Sequence, residues 1–259
     1  MNTDYTTVTE TPGIKASKEQ LARLHQRYHF ALQFCGDKEV LEVACGAGQG
    51  LGYMAKVAKR VVGGDVDEDN LQFARKHYEG KDNIELHLLD AHKLPFDDKS
   101  FDVVILYEAI YYLAHPEVFL DKCGHIIRKN GVLLICTVNK DWPDFNPSPY
   151  STKYFSAHEL YQLLTERFLD VQLYGAFQAT MDSIGDRITS VAKRTAVALN
   201  LMPKTMRSKE ILKRIFFGKL VTLPAEIEEG MAEYVEPVPI PCDSPNFQHK
   251  VLYAVGRVP

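Results

Sequence analysis

The chain has 259 residues, 46% hydrophobic and 25% charged, with a net charge of −4. That length buries one sizeable core with room for an insertion or a small second lobe. The slightly acidic balance argues against a general nucleic-acid binder, although it leaves room for a local basic patch.

Five cysteines, odd in number and without C-x-x-C spacing, read as reduced thiols and not as a disulfide framework. The polar start Met1-Asn2-Thr3-Asp4-Tyr5 has no leader pattern, and no uninterrupted apolar stretch reaches the ~18 residues of a spanning helix. A cytoplasmic protein is expected.

Residues 1–16 are polar and Thr-rich, and are expected to be mobile until a ligand orders them. From Ser17, the spacing of Leu21, Leu24, Tyr28, Ala31 and Leu32 predicts a helix over 17–34. Val40 to Ala44 is a short apolar strand that runs through glycines into a helix near 50–59. Arg60 to Asp65 follows as a second strand, with a helix over about 67–79. Ile84 to Leu89 is a third strand and Phe101 to Leu106 a fourth, followed by a helix near 116–129. Gly131 to Cys136 is a fifth strand.

Trp142 to Tyr150 carries three prolines and reads as a loop. Ser156 with Glu159 is a capping box that opens a short helix. Val171 to Tyr174 is a sixth strand and His249 to Gly256 a seventh. The roughly 70 residues between them are too many for a structureless connection. Helical spacing in 184–201 and 209–220 predicts a helical cap there.

Strands alternating with helices imply βαβ units with right-handed crossovers. The expected fold is α/β, a doubly wound seven-stranded sheet whose last strand is antiparallel. Residues 1–36 supply an N-terminal lid helix, 37–177 the Rossmann-like core, 178–246 a helical insertion between the sixth and seventh strands, and 247–259 the final strand.

The segment Glu42-Val43-Ala44-Cys45-Gly46-Ala47-Gly48-Gln49-Gly50 ends a strand in glycines and turns into a helix. Glycine permits positive φ and close approach of a ligand, and the helix start presents unpaired N–H groups. Asp65 ends the second strand near the offset of a ribose-binding carboxylate, Asp90-Ala91 ends the third, and Tyr107-Glu108 ends the fourth. These ends share one crevice, where a nucleoside-bearing ligand binds in such sheets. The third fingerprint position of a dinucleotide site falls on Leu51, and Glu42 would repel a pyrophosphate but attract an ammonium or sulfonium group.

Val40 to Gly48 resembles the E/D-x-x-C-G-x-G motif of class I S-adenosylmethionine (SAM)-dependent methyltransferases. Asp65, Asp90-Ala91 and Phe101 to Ile105 are similar to that family's later motifs in order and spacing. The resemblance covers about residues 20–175 and the final strand. Ser100 to Leu113 resembles a stretch of methyltransferases acting on quinones, sugars and other small molecules. Arg27-Tyr28-x-Phe30-Ala31 is similar to a lead-in of glycan-associated bacterial methyltransferases.

By that resemblance the cofactor is SAM. Gly46 and Gly48 pack against its methionine part, Asp65 takes the ribose hydroxyls and Asp90 the adenine amino group. Glu42 forms the floor, Tyr28 lies over the methionyl end, and Val66, Ala91 and Tyr107 complete the set. The implied function is methyl transfer to an oxygen or nitrogen of a small molecule, sugar or glycan intermediate. Alternatives are a quinone or lipid methyltransferase at a membrane surface, a nicotinamide-dependent oxidoreductase, and a catalytically silent SAM-binding module.

Tyr111-Tyr112 stands where many relatives have histidine, which leaves the base open among Glu108, Tyr111, Tyr112 and His115, with Glu108 or Tyr112 favoured. Plainer roles stand beside these: Asp65 and Asp90 as helix caps, Tyr28 and the tyrosine pair as packing, His115 as a cap. His25 and His29 read as exposed. No His/Cys/Asp/Glu group has metal-ligand spacing, so no metal is expected.

Residues 186–219 hold nine basic and two acidic side chains, +7 locally. They read either as a solvated helical face or as a basic face meeting a phosphorylated or lipid-linked substrate or an anionic membrane surface.

Overall fold

The computed structural model describes residues 9–148, 150–179 and 220–259. In chain order the elements are β1 (Lys15–Ala16), α1 (Lys18–Cys35), β2 (Glu39–Val43), α2 (Leu51–Ala55), β3 (Arg60–Asp65), α3 (Glu68–His77), β4 (Ile84–Leu88), β5 (Phe101–Tyr107), α4 (Pro116–Ile126), β6 (Ile127–Val138), α5 (Ala157–Thr165), β7 (Leu169–Gln178), β8 (Val221–Thr222), β9 (Val238–Pro239) and β10 (His249–Arg257).

The main sheet runs β4-β3-β2-β5-β6-β10-β7-β9. Strands β4, β3, β2, β5 and β6 pair in parallel, while β10 lies antiparallel between β6 and β7. This is the expected seven-stranded pattern with one addition. β9 adds two residues at the edge through Tyr174 and Gly175, and ends in Pro239, which cannot donate to a further strand.

Alternation along the strands divides the interior into two layers. Val40, Val61, Val103, Ile105 and Leu134 face one side with Leu24 of α1, Leu51 of α2 and Leu71 of α3. Leu41, Val62, Val104, Leu106 and Leu133 face the other with Phe119 and Leu120 of α4 and Leu160 of α5. Among the described residues no helix is long and apolar enough to cross a membrane.

Several boundaries differ from the sequence expectation. α2 stops at Ala55, short of 59. α4 ends at Ile126 because β6 starts directly at Ile127, four residues before Gly131, pairing Ile127 with Phe101 before the register shifts. A capping box opens α1: Ser17 accepts from the Gln20 N–H at 3.1 Å and returns its own N–H to Gln20 Oε1 at 3.0 Å. Glu19 pairs with Arg23 and Lys250. The Ser156–Glu159 box caps α5 as expected.

Residues 9–16, expected to be mobile with the rest of 1–16, are tied down by β1, which pairs with β8 across more than 200 residues of sequence. Of the insertion expected to be helical, the predicted helices and the basic 186–219 segment fall outside the described residues, save for Leu220 at the end of the second. The described part, 220–246, is irregular with two short strands and holds no helix.

Buried side-chain bonds fasten α1 to the sheet: Tyr253 of β10 donates its hydroxyl to Gln26 Oε1 at 3.0 Å, and a second bond reaches β2. Tyr28, 3% exposed, donates its hydroxyl to Glu42 Oε1 at 2.7 Å. The Tyr28 ring lies so close to Gly50 that a Cβ there would sit 2.0 Å from Tyr28 Cε1. Glu42 is 1% exposed, its Oε2 has no hydrogen-bond partner among the described residues, and burial pushes its carboxyl up to about 8.

Two predictions follow from this contact. Below about pH 4.5 the Glu42 carboxyl is protonated whether folded or unfolded, whereas between 4.5 and 8 only the folded form holds the proton. The ligand-free chain therefore loses about 1.4 kcal/mol of stability per pH unit in that window. Urea unfolding at pH 5 and pH 8 is expected to show wild type losing at least about 2 kcal/mol more than Glu42→Gln; equal losses in both would remove Glu42 from the account. Gly50→Ala is expected to cost about 1–3 kcal/mol in the same assay, because the buried ring has to move.

Candidate functional site

The parallel strands end together in a cavity of about 540 Å³, lined at its floor by Val43, Ala44, Asp65, Val66, Leu89, Asp90, Tyr107 and Glu108. The turn after β2 is built for close approach: Ala44, Gly46 and Gly48 all take positive φ, at 58°, 57° and 76°. Such values are strained for any residue but glycine, so Ala44 holds strained backbone at the cavity wall.

Asp65, 6% exposed, accepts the Gly46 N–H on Oδ2 at 2.8 Å and the Asp67 N–H on Oδ1 at 2.9 Å. Burial raises its carboxyl above the usual range, against these bonds. The helix cap is Asp67, which accepts from Asp69 and Asn70, so Asp65 remains at the cavity. Asp90, half-buried, accepts the His92 N–H and faces His92 Nδ1 at 3.0 Å; these contacts hold it below the usual carboxylate range. Val66 is 57% exposed beside Asp65, an apolar surface open to a planar ligand. Ala91 and Tyr107 also line the cavity.

Two expected contacts lie behind the wall. Glu42 sits beneath Tyr28, which itself lines the cavity. Gly48 packs inward, where a Cβ would meet Ala74 at 2.8 Å, and its carbonyl accepts the Tyr78 hydroxyl.

At the other end stand the candidates for proton transfer. Glu108 follows β5 with φ 52°, another left-handed non-glycine residue, and its Oε2 accepts the Tyr111 hydroxyl at 3.0 Å. Burial raises its carboxyl, while Arg27 and Arg23 oppose that rise. Tyr111 is buried and stacks on Tyr154 at 4.4 Å. The Tyr112 hydroxyl is 2.7 Å from Ser148 Oγ. His115 does not line the cavity: it occupies the start of α4 without a capping bond, and its Nδ1 is 3.1 Å from Glu117.

Sequence reasoning missed the contribution of α1 beyond Tyr28. Gln20, Arg23 and Arg27 line the cavity, and their spacing of three and four residues places them on one helical stripe, the signal that could have found them. Arg27 pairs with Glu10 at 2.8 Å, and Arg23 lies 5.9 Å from the Trp142 ring. Thr9 and Glu10, from the segment expected to be mobile, line the same cavity. His25, expected to be exposed, is 1% exposed against Tyr53 and His29.

Carboxylates at two adjacent strand ends, an open apolar residue beside one of them, a left-handed turn and the Glu108 carboxyl at a third strand end fit a nucleoside-bearing ligand with a cationic end. The comparisons agree with this chemistry. Residues 41–135 match the family model described as a methyltransferase domain. A probable S-adenosylmethionine-dependent methyltransferase of Mycolicibacterium smegmatis is 30% identical over 199 residues, 72% of this chain and 76% of that protein. A ubiquinone biosynthesis O-methyltransferase of Mesorhizobium japonicum is 26% identical over 164 residues, 61% of this chain and 66% of that one. The fold matches that of the YcgJ protein from Bacillus subtilis, with a TM-score of 0.59 at 17% identity over 90% of this chain and 98% of that one. The chain belongs to the S-adenosylmethionine-dependent methyltransferase family, and its cofactor is S-adenosylmethionine.

Proposed function

We propose that the chain methylates a hydroxyl oxygen of a small molecule, sugar or glycan intermediate, with Glu108 accepting the proton. The observation that carries this reading is a carboxyl group on strained backbone at the cavity, after β5 and so across β2 from the Asp65 and Asp90 carboxylates that follow β3 and β4. A nitrogen acceptor would use the same group. The name of the Mesorhizobium relative, an O-methyltransferase, favours oxygen.

In this reading Asp65 receives the ribose hydroxyls, Asp90 the adenine amino group, and Val66 and Ala91 the adenine ring. Gly46 and Tyr28 border the methionyl end, with Gly48 and Glu42 supporting the turn and the ring from behind. When bound, S-adenosylmethionine supplies a methyl group already activated on a sulfonium sulfur. The protein contributes positioning, a large share of such a barrier. Tyr111 holds Glu108 by Oε2, and Oε1, which among the described residues meets only the weak Cys136 thiol contact at 3.7 Å, takes the proton of the acceptor. Burial raises the Glu108 carboxyl, which makes it the stronger proton acceptor once ionised, and Arg27 and Arg23 oppose that rise. Tyr112, tied to Ser148, is assigned to orienting the acceptor.

A second reading, a phenolic quinone precursor presented from a membrane, is favoured by the aromatic rings at the cavity, Tyr111 and Tyr112, with Tyr154 and Phe145 packed behind Tyr111. S-adenosylhomocysteine release measured across soluble sugars, phenols and vesicle-borne phenols separates the two, and absence of release with every acceptor would point to a silent binding module.

Calorimetric titration with S-adenosylmethionine is expected to show a 10- to 100-fold weaker Kd for Asp65→Ala, as for loss of about 1.5–3 kcal/mol of bonding to a charged group. Unchanged affinity would take Asp65 out of the ribose site. Glu108→Gln is expected to lower kcat by about 10²- to 10⁴-fold while Kd for the cofactor stays within about threefold. Wild-type turnover in that variant would exclude Glu108 as the base.

A further inference from the structure

The helix α1 has a third stripe, separate from the core stripe and the cavity stripe. His25 and His29 are one turn apart, and neither lines the cavity. They lie against the segment that follows β8: the Tyr234 ring is 4.0 Å from that of His29, and the Gln26 side chain donates to the Val235 carbonyl.

His25 is 1% exposed, yet neither Nδ1 nor Nε2 has a hydrogen-bond partner among the described residues. A buried imidazole normally satisfies at least its donor nitrogen. His29 Nδ1 is 3.7 Å from Glu229 Oε2 and 3.0 Å from the Tyr53 hydroxyl, which donates to the same Glu229 oxygen. One ligand atom each from His25, His29 and Glu229 lie within 4.8 Å of one another.

We propose that His25, His29 and Glu229 form a binding site for a divalent transition-metal ion of the zinc class. Two histidines at i and i+4 on one helical face, completed by a carboxylate, are a known ligand set for such ions, and the spacing of the sequence did not reveal it because Glu229 joins the pair only in the fold. Ligand atoms around tetrahedral zinc lie about 3.4 Å apart, and the Glu229 side chain, 71% exposed, is free to close that distance. Tyr53, through its bond to Glu229, is the outer partner that orients the carboxylate. Lys56 on this face is directed to Glu226, at 4.0 Å. The ion is a clasp: it joins α1 to the segment whose Ile227 N–H bonds the Gln49 carbonyl, next to the turn after β2. The site stands apart from the methyl-transfer reading, and its test does not depend on activity.

The tag-free full chain, stripped by dialysis against a chelator, is titrated with Zn²⁺ against a chromophoric competitor and with Co²⁺ by visible absorption. The expected result is one equivalent of Zn²⁺ bound with micromolar or tighter Kd, Co²⁺ bands of a four- or five-coordinate site, and a Tm raised by Zn²⁺. Glu229→Gln, at an exposed position, is expected to weaken binding at least 10-fold, and His29→Ala more. Wild-type binding weaker than about 100 µM, or wild-type affinity in either variant, overturns the proposal.

Discussion

The hydrogen bond from Tyr28 to Glu42 joins the first long helix to the second strand at the middle of the sheet, with no water between them. A helix turns about 100° per residue, so fixing one side chain fixes the direction of all the others. With Tyr28 held over Gly50 and edge-on to Tyr107, the stripe of Gln20, Arg23 and Arg27 faces the cavity and that of His25 and His29 faces the segment beyond β8. A one-residue slip would put His25 and His29 out of reach of Glu229 and withdraw Arg27 from the cavity. The price is a carboxyl group held neutral well into the physiological range, which a cationic ligand nearby would reverse.

Two of the strained backbone positions stand where the strands open into the cavity. Ala44 and Glu108, at the ends of β2 and β5, both take left-handed backbone without being glycine. Such positions persist only when their surroundings over-determine them. For Glu108 that support is visible: its N–H bonds the Cys136 carbonyl of β6 and its side chain receives Tyr111. The carboxylate is thereby aimed by the backbone as well as by its rotamer.

The sheet and its helices were legible in the sequence because their apolar residues repeat with the periods of strand and helix. The turn after β2 was legible because Gly46, Gly48 and Gly50 interrupt that pattern where a strand meets a helix. What was not legible depends on distant residues. β1 finds β8, and β9 finds β7, through two-residue contacts with no periodicity of their own. His25 has a polar side chain on an otherwise mixed helix, and nothing within twenty residues reveals that Tyr53 and the segment around Glu229 bury it. The direct passage from α4 to β6 was hidden because Ile127 extends the helical spacing of Phe119, Leu120, Cys123 and Ile126 by one residue, and only pairing with Phe101 assigns it to the sheet. Asp65 and Asp67 illustrate the same limit: two acids two residues apart are equivalent caps on paper, and the backbone separates them.

The position of β10 bears on how the molecule is made. It fills the gap between β6 and β7, pairing with both over most of its length. Until residues 249–257 have been synthesised, β6 is an open parallel edge of apolar residues, with β7 unable to reach it. Assembly thus waits on contacts separated by more than a hundred residues, the kind that slow folding and leave an unpaired edge exposed to neighbouring chains. Any change that delays or weakens β10 would therefore act first on the yield of soluble protein and only later on the chemistry in the cavity.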